Sequence, residues 1–179
     1  GLQVLRGLPQ PDPDKIAALL PPGIEPGAQA NVNLTIYNFP VPDEPEYGIV
    51  TSVDANYNGI AGEFTLGYGI DQESAIFVSQ ETNGQPKYPC TTEFYRLGPQ
   101  VKARCTHQGY TFVEFHGFSK GPSEPGAPFQ QNEWWLKYSR AVSVGGPATG
   151  FDFPPHVVRV RSEYGTARRE DVDGTLILR

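Results

Sequence analysis

The sequence has no run of about 18 apolar residues and no basic, then apolar, then small-residue pattern at its start, so it offers neither a membrane-spanning helix nor a secretory leader. These absences predict a soluble, non-anchored, cytoplasmic protein. Cysteine occurs only twice, at Cys90 and Cys105, too few for a disulfide framework or a structural zinc cluster; two free thiols are expected. His107, His116 and His156 are scattered, and none stands at the spacing of a local metal site. A Gly-x-Ser-x-Gly nucleophile elbow and the Gly-rich phosphate loops are missing too. With a formal charge of -6 there is no strongly basic face, which argues against nucleic acid as a partner. The densest cationic stretch is Arg159, Arg161, Arg168 and Arg169. Arg159 and Arg161 stand two apart and would share one face of a strand, as a solvated sheet face does.

What the chain does contain is a globular composition much interrupted by turns: 38% apolar and 12% aromatic residues, with Gly 20 and Pro 18 among 179 residues. That length suits a single domain over residues 1–179. The opening Gly1-Leu2-Gln3 without a Met, and the apolar run Leu176-Ile177-Leu178 before Arg179, are what a domain truncated at both ends would show.

Two short helices are predicted. Asp14 precedes helix formers through Leu20, and Pro21-Pro22-Gly23 stops them; Asp71 precedes Ser74 through Glu81, which Asn83-Gly84 would terminate. Period-two alternation predicts a strand over 30–37, where Val32, Leu34 and Ile36 face one way, and others over 47–53, 63–70, 100–106, 110–118, 134–144, 156–163 and from 174. Asn58-Gly59 and Gln108-Gly109 supply hairpin turns, and residues 38–45 and 122–131 read as loops. Eight or nine strands and two short helices define an α+β, mostly-β fold, in which a curved antiparallel or barrel-like sheet would enclose a cavity.

Of the five lysines, Lys87 stands apart. It lies in Asn83-Gly84-Gln85-Pro86-Lys87-Tyr88-Pro89, past a helix end, with no carboxylate nearer in sequence than Glu81 or Glu93. An ordinary lysine, with a pKa of ~10.4, is a neutral amine at pH 7 in only about one molecule in a few thousand. Burial that brings the pKa to about 7, equivalent to ~4 to 5 kcal/mol between the two protonation states, would make it a nucleophile toward carbonyls.

The chain resembles the acetoacetate decarboxylase-like family in Gly59-Ile60-Ala61-Gly62-Glu63-Phe64, then Asp71-Gln72-Glu73-Ser74-Ala75-Ile76, then Glu81 and Pro86-Lys87. Further similarity runs through Gly109-Tyr110, His116-Gly117-Phe118-Ser119-Lys120 and Trp135-Leu136-Lys137-Tyr138. The resemblance implies a homo-oligomer with Lys87 as Schiff-base lysine and a small-molecule keto acid as substrate. Such an imine drains electrons from a β-keto acid, which loses carbon dioxide to leave an enamine. No cofactor and no metal are expected. Glu46 is the implied acid/base residue, and Tyr88, Glu81 and Gln85 are expected to bind substrate or support the lysine turn. The family pattern is broken where Tyr88 replaces a second lysine, Gln80 an arginine and Thr35 a pocket glutamate; an upstream family arginine would fall before Gly1. The same imine would also serve an aldolase, dehydratase or cyclase of specialised metabolism. A non-catalytic ligand-binding cavity is the reading from a different class.

Overall fold

The computed structural model describes residues 3–7, 12–40, 45–141 and 150–179. Its elements in chain order are β1 (Gln3–Gly7), α1 (Pro13–Ala17), β2 (Glu25–Pro26), β3 (Val32–Phe39), β4 (Glu46–Tyr57), β5 (Ile60–Ile70), α2 (Glu73–Asn83), β6 (Lys87–Pro89), β7 (Thr91–Leu97), β8 (Gln100–His107), β9 (Tyr110–Ser123), β10 (Phe129–Lys137), β11 (His156–Tyr164) and β12 (Arg169–Leu178). The fold is α+β and mostly β, as expected. The strands form two sheets, and neither closes into a barrel. One is eight-stranded, along the path β1-β3-β4-β5-β10-β11 with β2 on β4 and β6 on β5; the other is four-stranded, β12-β9-β8-β7. Most pairings are antiparallel, but β5 takes both β6 and β10 in parallel.

The hairpin turns sit where they were expected. Asn58 and Gly59 (φ 53° and 76°) and Gln108 and Gly109 (φ 48° and 80°) all take the left-handed conformations that two-residue loops need to match strand twist. Elsewhere the boundaries moved. The first helix begins earlier, with Pro13 at its first turn and Asp12, not Asp14, as cap: Asp12 Oδ1 accepts from Asp14 N at 3.0 Å. Gln72, not Asp71, precedes α2; Asp71 instead accepts from Tyr47 N at 3.1 Å and ties the start of β4 to the end of β5. The expected strand over 134–144 ends at Lys137, and residues 142–149 lie outside the described residues. The expected loop over 122–131 is confined to 124–128, as β9 runs on to Ser123 and β10 starts at Phe129.

Two apolar layers lie on one face of the large sheet. Leu34, Ile36 and Ile49 meet Ala103, Cys105 and Val113 of the small sheet, with Cys90 among them. Farther along, Val53, Ala55, Phe64 and Trp134 pack with Ile16 of α1 and Ile24. Both thiols are free and buried within the first layer. The opposite face of the large sheet is built differently, and it carries the polar groups.

Candidate active site

Cross-strand partners share a face of a sheet, so the register assigns that second face without ambiguity. One row across it reads Arg6, Thr35, Val50, Tyr68, Lys87, from β1 through β3, β4 and β5 to β6. The next reads Asn33, Ser52, Thr65, and a third Asp54, Glu63, Glu133. Thr65 and Tyr68 are three residues apart and would face opposite ways in a regular strand. The register slips between Thr51 and Ser52 of β4, leaving Leu66 as the extra residue on β5, and that bulge turns both toward the same side. It also divides Phe64, Leu66, Tyr68 and Ile70, which strict alternation along the strand would place on one face. Phe64 and Leu66 join the α1 layer, while Tyr68 and Ile70 pack with Tyr37 and with Ile76 of α2 on the other side.

Lys87 occupies the first position of β6, directly after the turn that ends α2. Gly84 closes that helix at φ 68°, and the Lys87 amide donates to Gln85 O at 2.7 Å. Gln80 steadies the turn, its Nε2 donating to Lys87 O at 2.5 Å. The neutral Gln80 amide therefore grips the lysine's own backbone. The Lys87 side chain is half-buried, with Nζ 5.8 Å from the centre of the Tyr68 ring. Burial lowers its pKa from the ordinary lysine value, and the negative charge of Glu46 partly restores it.

Glu46 opens β4 on the same face. Tyr37 Oη donates to Glu46 Oε1 at 2.5 Å. Gly48 makes room for that phenol, since a Cβ added there would stand 2.6 Å from Tyr37 Oη. Burial holds the phenols of Tyr37 and Tyr68 well above the usual tyrosine range, so both stay protonated donors. The structure thus brings Lys87 and Glu46 together. It places the other named residues elsewhere. Tyr88, next along β6, points to the opposite face, packing against Gly67, His107 and Phe112 beneath the lysine. Gln85 is buried within the turn. Glu81 is exposed on α2, with its carboxylate 4.0 Å from Lys137 Nζ.

Beyond Tyr68 the face carries residues that local patterning did not single out. Arg6 Nη2 donates to Glu63 Oε1 at 2.5 Å and to Asn33 Oδ1 at 3.0 Å; the Ser52 hydroxyl donates to Glu63 Oε2. Glu133 is 9% exposed, and its Oε2 accepts from Trp135 Nε1 at 3.3 Å and from Thr65 Oγ1 at 3.5 Å. Burial raises its pKa above the usual carboxylate range, and the neighbouring charge of Glu63 adds to that. The one available signal was a lone carboxylate beside the apolar run Trp134-Trp135-Leu136.

The acetoacetate decarboxylase family model matches residues 10–179. Among solved structures, the acetoacetate decarboxylase of Legionella pneumophila superposes with a TM-score of 0.72 at 16% identity, over 99% of this chain and 70% of that one. The enduracididine biosynthesis enzyme MppR, in complex with the condensation product of pyruvate and imidazole 4-carboxaldehyde, gives 0.71 at 16% identity over 99% and 74%. An acetoacetate decarboxylase-like enzyme from Sphingomonas wittichii gives 0.67 at 14% identity over 99% and 77%. No curated protein sequence matches the chain.

Proposed function

The chain belongs to the acetoacetate decarboxylase family, and on that footing we propose that it is a Schiff-base-forming lyase in which Lys87 attacks the carbonyl of a β-keto or related keto acid, with decarboxylation as its reaction. The observation that carries this reading is the setting of Lys87: half-buried over the Tyr68 ring on a polar sheet face, with its pKa lowered by burial. Each step balances. The neutral amine adds to the carbonyl carbon, the carbinolamine takes up a proton at its hydroxyl and loses water, and a protonated imine results. The carbon–carboxylate bond then breaks, its electron pair flowing into the iminium to leave carbon dioxide and an enamine. Protonation at carbon and hydrolysis release the ketone and the free amine.

Glu46 is the acid/base group at the nitrogen. Its carboxylate favours the positively charged iminium, and the Tyr37 hydroxyl orients it. Gln80, Gln85 and Tyr88 support the turn from behind. Glu81, on the solvent side of α2, is assigned no contact with substrate.

The likeness to MppR, described with a pyruvate condensation product, favours a second reading: the same imine used for aldol or dehydration chemistry. Incubation with keto acids and 1,3-dicarbonyls, borohydride reduction and peptide mass spectrometry decides among these readings. An adduct on Lys87 that has lost its carboxyl mass supports decarboxylation, and one that retains it supports the aldol class. No adduct on Lys87 across the panel refutes both and leaves a ligand-binding cavity.

A further inference from the structure

Imine chemistry at Lys87 forms an enamine whose carbon must gain a proton, or an imine whose α-carbon must lose one, and Glu46 sits at the nitrogen end. We propose that Glu133 is the catalytic acid/base that moves the proton at the substrate carbon, an inference that rests on the imine reading of Lys87.

The geometry supports it in three ways. Glu133 pairs with Glu63 of β5 and Lys87 with Tyr68 of the same strand, and β10 and β6 both pair with β5 in parallel. The two side chains therefore occupy the same sheet face, separated along β5 by five residues, or ~16 Å at ~3.3 Å per residue before either side chain reaches inward. A lysine and a glutamate extended toward each other across that span leave a gap suited to a small keto acid. Second, both hydrogen bonds to the Glu133 carboxyl, from Trp135 and Thr65, end on Oε2; Oε1 takes none among the described residues, so Oε2 is held in place while Oε1 is left to carry a transferable proton. Third, no cation neutralises it among the described residues. Its titratable neighbours are Glu63 and Tyr68 on β5 and Tyr164 on β11, and Arg6 is engaged by Glu63. Burial beside a second carboxylate favours the acid form of Glu133, the form a proton donor needs.

In the forward step the enamine π pair takes the Oε1 proton. A carbon–hydrogen bond forms, the oxygen–hydrogen bond breaks, and positive charge returns to the iminium nitrogen. In reverse the carboxylate removes an α-proton. The reverse step is measurable without any decarboxylation, as exchange of methyl protons for deuterium in a ketone held on Lys87.

Acetone and pyruvate in deuterium oxide, followed by proton NMR, with borohydride trapping run in parallel, test the idea on wild type, E133Q and E133D. E133Q is expected to trap as much ketone on Lys87 as wild type yet exchange methyl protons roughly 10²-fold more slowly, with E133D in between. Exchange at the wild-type rate in E133Q overturns the assignment. So does loss of the Lys87 adduct together with exchange, since that marks a structural role, and so does an E133D no faster than E133Q. A wild-type protein that traps neither ketone on Lys87 refutes the imine reading itself, and this inference with it.

Discussion

On the polar face of the eight-stranded sheet titratable groups are displaced by burial, whereas on the exposed face of the four-stranded sheet they are displaced by partners standing in water. Burial lowers Lys87 and raises Glu133, Tyr37 and Tyr68. On the small sheet the Arg179 hydrogen bond holds Glu114 low, and Arg104 gains from Glu93 on the exposed side of β7 and β8. Both settings perturb a proton equilibrium, but only the first leaves the perturbed group free to react, because an exposed ion pair satisfies its members and is screened. Chemistry is therefore expected on the large sheet alone.

The sharpest way to break the comparison is to remove a lysine from each sheet. K87A is expected to abolish the trapped adduct and bring turnover to the uncatalysed rate. K102A, on β8, is expected to leave both unchanged. Turnover retained in K87A, or lost in K102A, would mean the burial contrast does not locate the chemistry.

E46Q tests the electrostatics with a definite sign. The Glu46 charge raises the Lys87 pKa against burial. Removing it lowers that pKa further, so the neutral amine appears at lower pH and the rising limb of imine formation moves toward acid. Turnover is expected to fall by about 10²-fold, because the proton transfers at nitrogen lose their partner. A limb that moves toward alkali would contradict this account.

Ile49→Ala probes what joins the sheets. Ile49 is fully buried where the large sheet meets Cys105 and Val113 of the small one. Its truncation is expected to cost ~2 to 5 kcal/mol in urea unfolding, still in a single transition. Two separated transitions would show that the sheets unfold independently.

How much of this was legible in the sequence depended on which forces set each element. β3 alternates strictly, and its core face of Val32, Leu34 and Ile36 was read correctly. Its other face gave no such signal, yet Asn33 and Tyr37 are buried there, Tyr37 against Ile76 of α2. The bulge at Leu66 was invisible, since period-two counting cannot reveal an inserted residue, and so Thr65 and Tyr68 were not seen as neighbours. β6 was missed because three residues of parallel pairing leave no periodicity. Its lysine stood apart by its proline-flanked, uncharged surroundings, and only the resemblance to a family gave it a chemical role. Glu133 and the pair of Arg6 with Glu63 depend on strands 57 or more residues apart in sequence, and no local pattern records such contacts.

The mildest test lies on the small sheet and concerns acid. Glu170, second residue of β12, gathers Arg96 from β7, Arg168 just before the strand and the Ser119 hydroxyl from β9. These partners, Arg96 first, hold its pKa down at about 2, against an ordinary 4.5. A carboxylate depressed in the folded state stabilises that state above its unfolded pKa. The contribution is present in full above about pH 4.5 and is lost as pH falls toward 2. E170Q should therefore be slightly less stable than wild type near neutral pH, and the difference should shrink as urea midpoints are measured toward pH 2. Because the cluster meets solvent, added salt should narrow the gap as well, and the Lys87 adduct should form as in wild type. A gap that widens in acid would show that Glu170 acts through packing rather than charge, and an E170Q that no longer forms the adduct would show that the two sheets do not divide structure from chemistry.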